Sequence, residues 1–283
     1  MWILLGIIAA LCWGIYPALM KIANRKNSTT KIIMIGMAVG AAVISLGSAN
    51  ISAIALIPSI ITGLVWASGM FFAQKAISLG ADISRLTPLY NTNTLVAVFI
   101  GVLFLGELPA SIPDLIRLLL GAALIVLGGI AVTHSPKKVS TNTNYSWILL
   151  GILAALCWGI YPALMKEATI SGATTGNIFL GMMIGALLLF TISPKEKRGR
   201  VSFQTIIWSL LAGLVWASGM FFAQKAISLG ADIARLTPLY NTNTLIAVII
   251  GFVVLKEWPK NQKQKFLIIA GAMLVVLGAS LVV

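Results

Sequence analysis

Long apolar runs, each long enough to cross a bilayer as a helix, alternate with short polar segments along the chain of 283 residues. Roughly 20 apolar residues span the hydrocarbon core as a helix. In the first half these runs cover residues 2–20, 31–48, 53–79, 83–105 and 114–133. In the second half they cover residues 146–165, 176–193, 203–229, 233–255 and 265–283. The pattern predicts an all-α membrane protein with ten transmembrane helices and excludes a barrel, whose strands are about half as long.

Two blocks of the sequence occur twice. Residues 3–21 return as 148–166 with one change, and residues 63–95 return as 213–245, also with one change. Self-similarity at this scale indicates a duplicated protein. Since each copy contains an odd number of predicted spans, the copies must cross the membrane in opposite orientations, as inverted five-helix repeats. The predicted organisation is a first repeat at 1–133, a cytoplasmic linker at 134–145 and a second repeat at 146–283.

The identity between the repeats is concentrated in the first, third and fourth spans of each copy. We interpret these spans as the walls of a central path, because two-fold equivalence matters there, and the remaining spans as packing or lipid-facing elements. Patchy gene conversion or deliberate engineering would give the same pattern and stays open as an alternative.

Composition agrees with a membrane protein: 59% of the residues are hydrophobic and 10% are charged. The net charge of +13 does not indicate nucleic-acid binding, because the basic residues lie in short loops between spans. The matching loops after the first, second and fourth spans differ in basic charge between the repeats, and in all three pairs the more basic loop falls on the same side of the ten-helix layout, which is the expected cytoplasmic side. We therefore predict a multi-pass protein of the plasma membrane with both termini on the extracytoplasmic side.

The fourth span carries a stripe of uncharged polar side chains. Thr87, Tyr90, Asn91 and Thr94 fall on one helical arc, and the ninth span repeats the stripe 150 residues later. Such a stripe cannot face hydrocarbon cheaply, so it is predicted to line a neutral cavity rich in donors and acceptors. Hydrogen bonds that only fix helix packing are the alternative. The candidate substrate-binding residues of these spans are Tyr90, Asn91, Thr94, Tyr240, Asn241 and Thr244.

Aromatic side chains with a nearby amide mark the first and third spans. Trp13 and Tyr16 share one face of the first span, and Trp66 and Gln74 lie eight positions apart on the third. Aromatic faces beside amides suit a sugar, whose C–H faces pack on rings while its hydroxyls need hydrogen-bond partners. Ordinary packing or an interfacial aromatic belt is the alternative. The further candidates are Trp13, Tyr16, Trp66, Gln74 and their equivalents Trp158, Tyr161, Trp216 and Gln224.

The chain carries little that indicates catalysis. HExxH and GxSxG motifs are absent from the sequence, and its single histidine lies in the predicted linker. Cys12 and Cys157 are repeat equivalents within apolar helix, typical of packing residues. Asp82 and Asp232 precede the fourth and ninth spans, each three positions before an arginine, Arg85 or Arg235, where we expect helix capping and local ion pairing. We predict no enzyme activity, no cofactor and no metal.

Three segments carry a resemblance to a known family. These are LCWGIYP at 11–17, the polar start of the fourth span at 88–94, and GVLFLGE ending at Glu107, echoed by GFVVLKE ending at Glu257. With the layout of two five-helix halves, they resemble the drug/metabolite transporter superfamily of EamA-type carriers, and most closely its glucose, ribose and rhamnose uptake branch. The resemblance covers nearly the whole chain.

The resemblance implies a secondary transporter that moves a small polar metabolite, a sugar foremost, by alternating access of the two inverted repeats. Its expected partners are membrane lipid and a small-molecule substrate, with the chain a monomer or weak homodimer. The first span lacks the central glutamate of the related four-helix multidrug antiporters, which argues against proton-coupled export of organic cations. An exporter of amino acids or other amphipathic metabolites, or a flippase of a lipid-linked head group, remains an alternative.

Overall fold

The computed structural model describes residues 1–48, 50–133, 146–193, 195–196, 200–259 and 261–282. The predicted linker therefore lies outside the described residues. Within them the chain forms twelve α-helices and no strand. The helices of the first repeat are α1 Trp2–Arg25, α2 Thr30–Leu46, α3 Leu56–Ser78, α4 Ile83–Tyr90, α5 Asn93–Phe104 and α6 Ile112–Thr133. Those of the second are α7 Ser146–Ile170, α8 Thr175–Ile192, α9 Phe203–Ser228, α10 Ile233–Tyr240, α11 Asn243–Val253 and α12 Gln262–Val282.

These helices confirm the all-α membrane fold. Among the described residues, nine helical segments are long and apolar enough to cross a membrane, and α2 is a slightly shorter apolar helix of 17 residues. Large apolar side chains such as Leu103, Phe104, Leu149 and Phe203 are exposed on the outer surface. A water-soluble monomer rarely exposes so much apolar surface, whereas lipid solvates it well.

Equivalent helices of the two repeats run in opposite directions. Helix α1 runs parallel to α10 and α11, since Gly6 lies against Leu239, Gly14 against Ile246, and the Arg25 guanidinium donates to the carbonyl of Leu255. In the same way α7 runs parallel to α4 and α5. The pairs α4–α5 and α10–α11 are antiparallel, because the start of each lies against the end of the other. Hence α1 and α7 point in opposite directions, as an inverted repeat requires.

The tightest packing joins helices of different repeats. Helices α1 and α2 pack along α9, and α3 packs along α7 and α8. Glycines make this possible: a Cβ on Gly213 would lie 1.9 Å from the carbonyl oxygen of Gly36, and one on Gly63 would lie 2.0 Å from that of Gly181. Small residues let helix backbones approach closely in lipid. The repeats are therefore interleaved.

This packing divides the ten helices other than α6 and α12 into two bodies of mixed origin. We call α1, α2, α9, α10 and α11 body I, and their equivalents α7, α8, α3, α4 and α5 body II. The bodies meet along α2 and α8, along the broken helices, and around a central cavity. Helices α6 and α12 pack against each other at the edge, with Gly128 against Gly271.

Candidate functional site

The fourth predicted span is broken in the middle, and its break supplies the polar centre of the structure. After Pro88 the α-helical hydrogen bonding gives way to tighter i to i+3 bonds, from the Thr92 amide to the Leu89 carbonyl at 3.2 Å and from the Thr94 amide to the Asn91 carbonyl at 3.3 Å. Proline cannot donate in a helix, and tighter turns at such breaks leave carbonyls directed sideways. Asn91, between α4 and α5, thus offers both its side chain and its carbonyl to the neighbouring helix.

The partner of Asn91 is its own repeat equivalent. The Asn91 Nδ2 donates to the carbonyl of Asn241 at 3.3 Å, and the Asn241 Nδ2 donates to the carbonyl of Asn91, also at 3.3 Å. Each amide further contacts a threonine hydroxyl, Thr244 at 2.7 Å from Asn91 and Thr94 at 2.8 Å from Asn241. The asparagines that begin α11 and α5 accept from the same amides through their side-chain oxygens, Asn243 from Asn91 and Asn93 from Asn241. The two polar stripes therefore meet across the boundary between the bodies.

Four aromatic residues surround this centre as two edge-to-face pairs. The rings of Trp13 and Tyr240 have centroids 4.7 Å apart at 81° in body I, and those of Tyr90 and Trp158 are 4.8 Å apart at 89° in body II. The hydroxyl of Tyr90 lies 3.0 Å from that of Thr87, and Tyr240 repeats this contact with Thr237 at 2.9 Å. These contacts hold the rings in fixed orientations around the cavity.

A second aromatic pair closes the centre. Trp66 of body II and Trp216 of body I stack with centroids 4.1 Å apart at 24°. In the remaining cavity the centre of a water molecule can occupy a volume of about 30 Å³, so the cavity has room for roughly two water molecules. A monosaccharide is several times larger. The cavity is therefore contracted around its own aromatic and amide groups.

Ten of the fourteen predicted site residues line this one cavity. They occur as five repeat-equivalent pairs, Trp13 with Trp158, Tyr16 with Tyr161, Trp66 with Trp216, Tyr90 with Tyr240, and Asn91 with Asn241. The lining also includes Asn93, Asn243 and Met220, which the candidate set left out. In a continuous helix Asn93 would lie only at the edge of the polar stripe. The break between α4 and α5 turns its side chain towards the cavity. Thr94 and Thr244 lie behind the asparagines, as acceptors of their amides.

Gln74 and Gln224 lie away from the cavity, contrary to the expected arrangement. The Gln74 amide exchanges two hydrogen bonds with the Asn24 amide, at 3.1 and 3.2 Å, in a buried pair between α3 and α1. The Gln224 Oε1 accepts from the Thr175 hydroxyl at 2.8 Å. Both glutamines are thus engaged by helix packing, and neither belongs to the candidate site.

A buried ion cluster joins the two bodies at one end of the structure. The Lys21 Nζ of body I lies 3.7 Å from Asp82 and 3.2 Å from Glu257. The same Glu257 accepts from the backbone N–H of Ser84, at the start of α4 in body II, at 3.2 Å. The Glu257 side chain is only 3% exposed, so its charge depends on these partners. We call Lys21, Asp82 and Glu257 the Lys21 cluster.

The repeat equivalents form the same cluster at the opposite end. The Lys166 Nζ of body II lies 2.5 Å from Glu107 and 3.4 Å from Asp232. Glu107 accepts from the backbone N–H groups of Ile233 and Ala234 at 3.0 and 2.8 Å, at the start of α10 in body I. This Lys166 cluster borders a polar cavity of about 280 Å³, and its Asp232 is 48% exposed, against 14% for Asp82. Water therefore reaches the Lys166 end more easily.

The clusters correct one prediction and add two lysines and two glutamates that the candidate set left out. Asp82 and Asp232 occupy the N-cap positions of α4 and α10, but neither makes a side-chain cap hydrogen bond. The glutamates of the other repeat fill that role, since a carboxylate at a helix N-terminus satisfies its free amides. A detectable signal existed: Glu107 and Glu257 occupy equivalent positions, as do Lys21 and Lys166. Among the described residues, no group of three or more His, Cys, Asp or Glu side chains could hold a metal ion.

Similar proteins and structures agree with this architecture. A relative from Listeria innocua named "Putative sugar uptake protein lin0215" is 26% identical over 99% of this chain and 97% of its own length. The glucose uptake protein GlcU of Staphylococcus xylosus is 24% identical over 97% of this chain and 95% of its own. A crystal structure, 17% identical, covers 99% of this chain and 95% of its own with a TM-score of 0.63, which shows a shared fold.

Two family models together match almost the entire chain. The model described as "Sugar transport protein" matches residues 4–148, and the model of the EamA-like transporter family matches residues 145–283. The first covers more than half of the chain and the second covers the other repeat. The chain belongs to the sugar transport protein family, the sugar branch of the drug/metabolite transporter superfamily.

Proposed function

We propose that the protein takes up a sugar by alternating access, with the substrate bound in the central cavity between body I and body II. The observation that carries this proposal is the cavity itself: its walls come in repeat-equivalent pairs contributed by two antiparallel bodies. A site of this symmetry can be opened to either side by equivalent motions. Inverted-repeat transporters bind their substrates at such repeat interfaces near mid-membrane.

The ion clusters supply the two gates that alternating access requires. Each cluster ties the start of a broken helix in one body to a lysine and a glutamate of the other body. One cluster lies at each end of the path, with the cavity between them. Opening an end requires its cluster to separate, while the other cluster keeps the far end shut. The moving units in this mechanism are the mixed bodies I and II rather than the two sequence repeats.

The cavity lining also supports a neutral polar substrate. Four asparagine amides and four tyrosine hydroxyls supply donors and acceptors, and the four tryptophans supply flat apolar faces. Among the residues that the structure describes, no charged side chain lines the cavity. An organic cation or a carboxylate entering this cavity would lose its hydration without a countercharge, at a cost of several kcal/mol. Sugar hydroxyls instead exchange water for amide partners.

Uptake by purified protein in liposomes tests the proposed function. We expect time-dependent accumulation of radiolabelled D-glucose or D-ribose inside proteoliposomes, above the level in protein-free liposomes. A thermal-shift series with sugars, amino acids and quaternary amines should give stabilisation by a sugar, since a ligand of the native state raises its apparent stability. Stabilisation and transport by amino acids or amines, without any response to sugars, would contradict the proposal.

A further inference from the structure

The stacked pair of Trp66 and Trp216 occupies the centre of the candidate site. The two residues are repeat equivalents, so the pseudo-two-fold axis passes between their rings. Their side chains are 1% and 2% exposed, and their planes are 24° from parallel. Because one ring belongs to body II and the other to body I, any opening of the cavity draws the two flat faces apart.

The backbone that carries each ring is anchored to its own body. The indole Nε1 of Trp158 donates to the carbonyl of Trp66 at 3.2 Å within body II, and the indole of Trp13 donates to the carbonyl of Trp216 at 3.2 Å within body I. The backbone behind each indole therefore moves with its body. When the bodies separate, the two inner faces remain opposed to each other across the gap.

We infer that the substrate is a pyranose with all hydroxyls equatorial, which replaces the stack by inserting between Trp66 and Trp216. This inference rests on the proposed sugar transport and specifies the sugar. Aromatic faces are electron-rich and attract the weakly positive C–H groups of a sugar ring. Two opposed indoles require C–H groups on both ring faces, which β-D-glucopyranose and β-D-xylopyranose provide.

The amides fit the rim of the same sugar. Equatorial hydroxyls point outward in the plane of the ring and need hydrogen-bond partners around its edge, and the asparagine amides of both bodies border the same cavity as the two indoles. An axial hydroxyl, as in galactose or mannose, would press against an indole face without a hydrogen-bond partner, which is costly in a dry site. With carbon contacts of about 4 Å on each face, the ring centroids must move from 4.1 Å to roughly 8 Å apart.

Competition for radiolabelled D-glucose uptake in proteoliposomes tests the inference. We expect the apparent affinity for D-xylose to lie within a few-fold of that for D-glucose. The apparent affinities for D-galactose, D-mannose and D-ribose should be weaker by roughly tenfold or more. Trp66→Leu and Trp216→Leu should each weaken apparent glucose affinity by roughly three- to tenfold, and by similar factors, because the sandwich has two equal faces. Trp66→Phe keeps a flat face and should retain most of the affinity.

Trp258→Leu is the matched control, since Trp258 stacks on Phe252 outside the cavity and is 50% exposed. A second measurement needs no variant: the exciton-coupled circular dichroism of the stacked indoles should fall when glucose saturates the protein. Three results would contradict insertion between the two indoles while glucose uptake itself persists. These are competition by galactose as strong as that by glucose, a loss of glucose affinity in only one of the two leucine variants, and an exciton-coupled circular dichroism signal that glucose does not change. Absence of uptake for every sugar would instead overturn the proposed function together with it.

Discussion

Asn91 and Asn241 each donate an amide hydrogen bond to the other's backbone carbonyl, at the same distance of 3.3 Å. Each Nδ2 has two protons but three acceptors within reach: the opposite carbonyl, a threonine hydroxyl and an asparagine oxygen. Such a crowded amide can exchange one acceptor for a substrate hydroxyl without losing all of its partners. The pair thus closes the cavity in this structure, and in the proposed site we expect both amides to donate to the substrate.

The first prediction concerns recognition by these two amides. Asn91→Ala should weaken sugar binding by about 1 to 3 kcal/mol, roughly five- to 150-fold, because buried substrate hydroxyls would lose their partner. Asn241→Ala should cost a similar amount, since the two residues are equivalent in the cavity. Apparent affinity from uptake in proteoliposomes is the measurement, with folding checked by thermal unfolding. Normal uptake by the double alanine variant would show that the amides only pack the helices together.

The second prediction concerns the close glycine contacts between helices within each of the two bodies. Gly63→Ala should destabilise the protein by about 1 to 3 kcal/mol or more, because the new Cβ would lie 2.0 Å from the Gly181 carbonyl oxygen. Gly47→Ala is the matched control: its Cβ would meet nothing closer than 3.5 Å, and its backbone is right-handed helical. Thermal unfolding in detergent measures both variants. Equal melting temperatures for the two would contradict the packing described.

The third prediction is the orientation in the membrane. The loop at the Lys21 end should be cytoplasmic and the turn after α7 extracytoplasmic, because the basic loops lie on the first side. Lys26 and Ser171 are exposed at these two places. In a background with Cys12→Ala and Cys157→Ala, an impermeant maleimide should label Ser171→Cys in intact cells and Lys26→Cys only after lysis. The opposite labelling pattern would reverse the assignment.

The sequence was sufficient to predict the spans and most of the cavity, because both depend on patterns that survive duplication. It failed for Gln74, which was grouped with Trp66 on one helical face. Eight positions along a helix bring a rise of about 12 Å and a rotation of about 80°, so the two side chains reach different layers. The glutamine finds Asn24 instead of the cavity.

Long-range partners explain the other differences. Local spacing suggested that Asp82 caps its own helix, whereas the group that accepts the Ser84 amide is Glu257, from the far end of the chain. No local rule connects residues so distant in sequence. Likewise, the duplication suggested two separate halves, but close glycine contacts join α2 to α9 and α3 to α8. The spacing of the sequence repeat does not show which helices of one repeat pack against which helices of the other.

We expect the path to open at one end at a time, by separation of one ion cluster. Glu107→Gln should release the Lys166 end, because it removes the charge that neutralises a largely buried lysine, and Glu257→Gln should release the Lys21 end. Met220, on the cavity wall, is a suitable reporter position. Glu167→Gln is the control, since Glu167 is exposed beside Lys166.

The decisive measurement is maleimide labelling of Met220→Cys, in the background without native cysteines, in right-side-out and inside-out vesicles. We expect Glu107→Gln to raise labelling roughly tenfold from the Lys166 side only, and Glu257→Gln to do so from the Lys21 side only. The control should label like the parent protein from both sides. If both glutamine variants raised labelling from the same side, or neither changed it from either side, the two clusters would not be the gates of the path.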